Sequence, residues 1–334
     1  MNYDIAFNFI VFAAFLSAFV IEVGLALLLL FDYSDKAKIM KYLIPVWEIN
    51  GTFAIFYIVD TEATFPAALV PLGFLYIIPI MFAGIAFIFR NSFFGYSEFM
   101  SNKINEKRYI IVYAISTVIV AFLALSVLNS TVSGIGVNVA SSSLNLLNML
   151  FNPYNIMMFL GEAAFAIFAD VLIFKIKREF LYSIIAIILA FIFIIGAMFI
   201  GNISYFLGNV KSELYYLTLP IILIIISFFA YKFKDSFVKF IVPFTVFISI
   251  ISFELLEYPG LFNNTLPFKD VLVSSIDQPL VLIFGIVGGL ILFASLAVVV
   301  YLNVFAKDPK DVDQNKVKQP TDNGIPSEPA EGQK

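Results

Sequence analysis

Residues 5–31 read IAFNFIVFAAFLSAFVIEVGLALLLLF, and the only charge in the stretch is Glu22. As a helix it would be ~40 Å long, and ~20 apolar residues are enough to cross the hydrocarbon core of a bilayer. The stretch is therefore read as a membrane crossing. It is not a cleaved signal peptide: no basic residue precedes it, it contains Glu22, and it is too long for an h-region.

The same character recurs along the chain. Apolar runs predict further crossings at 40–59, 66–90, 109–129, 153–175, 181–201, 215–231, 237–256 and 279–304. The whole chain has 334 residues, 61% of them hydrophobic and 13% charged, with a mean hydropathy of +0.97. Soluble domains carry roughly 45–50% apolar and about 25% charged residues, so the expected solvent is lipid. The expected fold class is an all-α polytopic membrane protein of about nine helices. Two four-helix units, 5–129 and 153–256, are followed by a peripheral last helix, within a membrane domain of residues 1–306. The units echo one another: Glu22 precedes Lys36, and Glu162 precedes Lys175, by about the same distance. Residues 307–334 are polar and aperiodic, and are expected to be a disordered cytoplasmic tail.

Charge patterning orients the helices. Eighteen of the twenty basic residues fall after helices 1, 3, 5 and 7 or in the tail, Arg90 among them; only Lys211 and Lys269 fall on the other side. By the positive-inside rule the protein is expected in the plasma membrane, with the N-terminus outside and the C-terminus in the cytoplasm.

Two zeros in the composition restrict the chemistry. With no cysteine there is no disulfide, thiolate nucleophile or iron–sulfur site. With no histidine there is no His-ligated haem or zinc and no Ser-His-Asp triad. The chain carries no Walker loop and no dinucleotide fingerprint. No metal site, no cofactor bound by this chain and no nucleic-acid partner are expected. A redox role requires a partner chain that holds the metals.

Ionisable groups within a span cost roughly 2.5–3.5 kcal/mol on insertion scales and face protein or water. Glu22, Glu48, Glu162, Asp170 and Glu254 lie within predicted spans, none with a basic partner in its own helix. Asp170 and Glu254 are near helix ends, where headgroups or a loop lysine are within reach. Glu22 is ~13 Å and Glu48 ~12 Å from the inner end of its helix at ~1.5 Å per residue. Their helices are antiparallel neighbours, so the two carboxyls, without a basic partner, could face each other at similar depth, as parts of a proton route or as a structural hydrogen-bonded pair. Glu48 sits in the stretch IPVWEINGTF, 44–53, beside the only tryptophan, Trp47, and an intramembrane amide, Asn50. Pro71, Pro79, Pro220 and Pro243 are expected to kink their helices.

These residues resemble a known family, subunit II of the cytochrome bd-type quinol oxidases. Pro45-Val46-Trp47-Glu48-Ile49-Asn50 is similar to its P-x-W-D-G-N element, and Phe65-Pro66 to the Phe-Pro pair about nineteen residues on. Glu22-Val23-Gly24, Phe151-Asn152-Pro153-Tyr154, Tyr258-Pro259 with Ser274-Ser275, and Tyr301–Phe305 resemble further elements. Glu48 replaces the usual Asp, Ile49 the usual Gly, and Asp60–Thr64 a Gly-Gly-Ala stretch, which marks a divergent member.

The resemblance implies a haem-free subunit that pairs with a haem-bearing subunit I and stabilises it. The complex oxidises quinol and reduces O2 to water, with haem b and haem d type groups and the quinol site on the partner. It also implies a proton path from the cytoplasm through Glu48, with Trp47 and Asn50 around it and Glu22 as the helix 1 acid. Glu162 and Asp170 are further buried acids. A structural quinone or lipid accompanies this subunit in some members. The competing class is a standalone proton-coupled secondary transporter, and a third is a purely structural scaffold.

Overall fold

The computed structural model describes residues 2–31, 36–99, 106–139, 141–174, 179–201, 203–230 and 235–300. The tail at 307–334 and the final Tyr301–Phe305 element lie outside the described residues. The helices are α1 Tyr3–Phe31, α2 Lys36–Thr64, α3 Pro66–Leu75, α4 Ile77–Phe99, α5 Glu106–Ser133, α6 Leu146–Phe151 and α7 Pro153–Phe174. They continue as α8 Glu179–Gly201, α9 Ser204–Ser212, α10 Thr218–Ala230, α11 Asp235–Glu257, α12 Phe268–Val271 and α13 Gln278–Val300. Among the described residues eight helices are long and apolar enough to cross a membrane, or nine if α9 and α10 form one bent span.

Two expected crossings differ from the structure. The run at 66–90 is two helices: α3 is short, and the crossing is α4, which starts at Ile77 and continues past Arg90 to Phe99. Pro79 therefore stands in the first turn of a helix, where its missing N–H leaves no bond unmade. The run at 215–231 begins as a 3-10 turn, Leu214–Leu217, and its helix meets the preceding α9 at an 81° bend. Pro220 likewise lies in the first turn of α10, while Pro71 and Pro243 lie inside helices. Asp60, expected in a loop, lies inside α2, which continues to Thr64. There Asp60 is buried and accepts a bond of 2.8 Å from Asn8 on α1.

The chain turns back at each end of the bundle. On the side where α1 begins, connections contain α3, α6, α9, α12 and two short hairpins. One pairs β1 Val137–Asn138 with β2 Ser143–Leu144; the other pairs β3 Gly260–Leu261 with β4 Leu266–Pro267. Asn145 caps α6 by accepting from the Asn148 N–H at 3.0 Å. Phe262 N–H bonds the Thr131 carbonyl at 2.6 Å, tying the second hairpin to the end of α5.

Helix packing centres on α1. It contacts α2, α5, α7 and α11. Helix α4 lies against α5, α8 against α7, and α10 against α11. The largest core cluster joins α1, α2, α5, α7 and α11 through Leu25, Leu43, Tyr113, Phe168 and Val242. Helix α13 packs only on α1 and α2 to any extent, where Gly285 and Gly289 face Phe7 and Gly288 faces Phe56. A Cβ at Gly288 would come within 2.5 Å of Phe56, so these glycines let the last helix approach closely.

Candidate functional site

Asn50 and Trp47 are three residues apart, so they share one face of α2, while Glu48 faces the opposite way. The inward face meets α1 at Glu22, which is wholly buried. Glu22 Oε2 accepts from Asn50 Nδ2 at 2.7 Å. Glu22 Oε1 accepts from Arg90 Nε at 2.8 Å, from Arg90 Nη2, and from the Tyr113 hydroxyl at 2.8 Å. Arg90 itself is 2% exposed. Its Nη1 donates to Asn91 Oδ1 at 2.7 Å, and that oxygen also accepts from Trp47 Nε1 at 3.1 Å. Phe94 packs against both Trp47 and Tyr113, its ring tilted to each, with centroids 4.7 and 5.2 Å away.

This network unites Glu22, Trp47 and Asn50 of the expected site with Arg90, Asn91 and Tyr113. It overturns two expectations. Glu22 is paired, not unpaired: α4 runs from Ile77 to Phe99, so its partner Arg90 lies inside a crossing and not in the inner loop that a single 66–90 crossing implies. The two acids do not face each other: Glu48 is exposed on the outward face of α2. Arg90-Asn91 is a polar pair inside an otherwise apolar and aromatic run, a signal that the sequence does contain.

Of the other acids, Asp170 and Glu254 are buried inside the protein. Asp170 is wholly buried, and neither oxygen has a hydrogen-bond partner among the described residues. It lies against Gly24 of α1, where any Cβ would overlap its carboxyl. Lys175, its expected neighbour, lies outside the described residues. Glu162 of α7 stands beside Asn129 of α5. Glu254, expected to reach headgroups or a loop lysine, is 5% exposed and faces inward, like Glu257 at the end of α11. Glu162, Glu254 and Glu257 all line one cavity of about 590 Å³. A smaller cavity of about 150 Å³ adjoins Asn50 and Arg90. Its walls share Leu16, Leu125 and Leu128 with the large one.

The family model for cytochrome bd terminal oxidase subunit II matches residues 4–303. The chain belongs to this family. A solved structure of bd oxidase from Geobacillus thermodenitrificans is similar in fold, with a TM-score of 0.73 and 17% identity. The match covers 92% of this chain and all of that one. No curated protein sequence matches. As a subunit II the chain is a multi-pass membrane protein of a terminal oxidase, and among its described residues no group of three or more acids is placed to hold a metal ion.

Proposed function

We propose that this subunit II stabilises a haem-bearing subunit I in a quinol:O2 oxidoreductase, and that Glu48 carries protons where the two chains meet. The observation that supports this is the position of Glu48: exposed, yet about three turns from the start of a helix that crosses the membrane. An acid facing lipid there would cost roughly 2.5–3.5 kcal/mol, so a second protein surface is its natural cover. Thr52, Ile55, Val59 and Glu62 are exposed on the same face of α2 and continue the strip toward the other end. The haem b and haem d groups, the quinol site and O2 reduction are assigned to the partner, since this chain has no histidine or cysteine to ligate iron. The N-terminus is placed outside and the C-terminus in the cytoplasm, on the bias of the seventeen basic residues that remain when Arg90 is moved into the membrane.

Glu22 accepts four hydrogen bonds, two of them from the Arg90 guanidinium, an arrangement that suits a tie between helices better than a moving proton. Membership of an oxidase family favours this reading over a standalone proton-coupled transporter. The test is turnover of the purified complex. Glu48→Gln is expected to lower quinol-oxidase turnover and alter its pH profile while haem still co-purifies at the wild-type ratio; Glu48→Asp largely preserves turnover. Unchanged turnover and pH profile in Glu48→Gln would exclude the proton role.

A further inference from the structure

The Glu48 side chain has no hydrogen bond or ion pair among the described residues; only its backbone carbonyl is used, accepting from the Thr52 hydroxyl at 3.2 Å. The aim of its carboxyl therefore depends on the backbone of α2. That backbone is weakened on both sides of it. Pro45, three residues earlier, lies inside the helix, and its missing N–H leaves the carbonyl one turn before it without the usual donor. Gly51, three residues later, has open space where a Cβ would stand, so neither a side chain nor packing stiffens the helix there. Apolar burial does not set the rotation of α2 either. Its buried face carries Asn50, Asp60 and Thr64, while Ile55, Ile58 and Val59 are exposed.

What holds the segment between Pro45 and Gly51 is a pair of bonds that bracket Glu48. Trp47 Nε1 donates to Asn91 Oδ1 at 3.1 Å, and Asn50 Nδ2 donates to Glu22 Oε2 at 2.7 Å. One guanidinium secures both acceptors: Arg90 Nε donates to Glu22 Oε1 at 2.8 Å, and Arg90 Nη1 to Asn91 Oδ1 at 2.7 Å. Among the described residues the next hydrogen bonds between α2 and another helix are at Asp60 and Thr61, both from Asn8. That is ten residues further on, ~15 Å along the helix. The Asn91 oxygen is thus the one atom that joins the indole beside Glu48 to the buried Arg90.

We infer that Asn91 is a positioning residue for Glu48: by holding the Trp47 N–H against Arg90, it fixes the turn of α2 that aims the Glu48 carboxyl at the partner chain. The inference rests on the reading of Glu48 as a proton carrier at that surface. Asn91 acts through Trp47, from the opposite face of α2. Leucine is close to asparagine in size but offers no acceptor, so Asn91→Leu leaves Trp47 Nε1 and Arg90 Nη1 without their oxygen. Arg90 keeps its bonds to Glu22, and Trp47 keeps its ring contact with Phe94. Position 91 is only half-buried, which suits the substitution to a folded complex.

The test uses the purified complex and two readouts. One is the pH profile of quinol-oxidase turnover. The other is the pH midpoint at which dicyclohexylcarbodiimide, which modifies protonated carboxyls, labels Glu48, read on its peptide by mass spectrometry. Asn91→Leu is expected to lower turnover by about tenfold, less than the ~10²-fold that a 1 Å misplacement can cost. It should shift both the profile and the labelling midpoint, with haem at the wild-type ratio and the KM for quinol unchanged. Trp47→Phe removes the donor of the same bond and leaves Asn91 on Arg90, so it should reproduce both shifts; it serves as the second variant where Asn91→Leu loses haem. Combining the two should cost little more than either alone, because they break one bond. Wild-type profile and midpoint in both single variants, or losses that add in the double variant, would overturn the inference. Failure of the proton reading looks different: Glu48→Gln then leaves turnover untouched while Asn91→Leu still moves the labelling midpoint. With Glu48 unlabelled at every pH, the turnover profile alone decides.

Discussion

Glu22 takes bonds from three helices at once, through Asn50 on α2, Arg90 on α4 and Tyr113 on α5. Breaking a buried ion pair by removing one partner costs about 3–5 kcal/mol, whereas replacing both partners by apolar groups is often near neutral. Arg90→Met should therefore lower the thermal stability of the complex sharply, and Glu22→Leu with Arg90→Met should recover much of the loss. Asn50 and Tyr113 then lack their acceptor, so recovery stays incomplete. Additive losses in the double variant, read by differential scanning fluorimetry, would contradict the pairing. Gly24 belongs to the same scale. A side chain there meets Asp170 and comes within 2.7 Å of the Ala166 carbonyl, so α1 and α7 must separate. Gly24→Ala should destabilise by about 1–3 kcal/mol, as overpacking does, and Asp170→Asn should not rescue it, because the Ala166 backbone remains. Gly84→Ala, with open space around it, is the matched control and should be neutral or slightly stabilising. An equal effect at both glycines would remove the close crossing as the cause. From the sequence, the depth of Glu22 was readable but its partner was not: pairing across sixty-eight positions depends on where α4 starts.

Helix α2 shows how far periodicity reaches. It buries Asn50, Phe53, Asp60 and Thr64 and exposes Glu48, Thr52, Ile55, Val59 and Glu62. Steps of three and four residues could have separated these faces, since Glu48 and Asn50 are two residues apart and so nearly opposed. What the steps cannot say is which face meets α1. The break between α3 and α4 was hidden for another reason: residues 65–89 are apolar without a polar interruption, so no face changes at Tyr76. The exposed strip of α2 leads to a prediction about contact. With no native cysteine, Thr52→Cys carries a single photoactivatable benzophenone, which should cross-link the haem-bearing subunit. Ile192→Cys, exposed on α8, should instead take up lipid. Cross-linking to the partner from Ile192 but not from Thr52, seen on denaturing gels, would move the interface off α2.

Across the molecule as a whole, α1 contacts helices from early and late in the chain, α2 and α5 as well as α7 and α11, and the last helix returns to α1 and α2. Composition alone made the membrane fold and about nine crossings legible, because a chain with 13% charged residues has no other solvent. The return of α13 to α1 and α2 was not legible, because its glycines mark a close approach without naming the helix approached. The connection between α5 and α6 is an exposed hairpin: Asn138, Val139, Ser141 and Ser142 are exposed around its turn. Exposed tips with small polar residues tolerate chain breaks. The Glu22–Arg90 network lies wholly before this hairpin, and α10 and α11 lie wholly after it, so each fragment keeps its own internal contacts. Fragments 1–139 and 140–334, expressed together, should therefore reassemble in the membrane through α1 against α7 and α11, with α13 clasping α1 and α2. A tag on the first fragment should retrieve the second. Gly288→Leu in the second fragment should reduce that retrieval, because Leu cannot stand where Phe56 lies within 2.5 Å of a Cβ. In the uncut chain the same substitution should be milder, since the covalent link keeps the two parts at high effective concentration. Fragments that fail to associate, or a Gly288→Leu effect no larger when cut than when whole, would mean that α13 does not hold the two parts together.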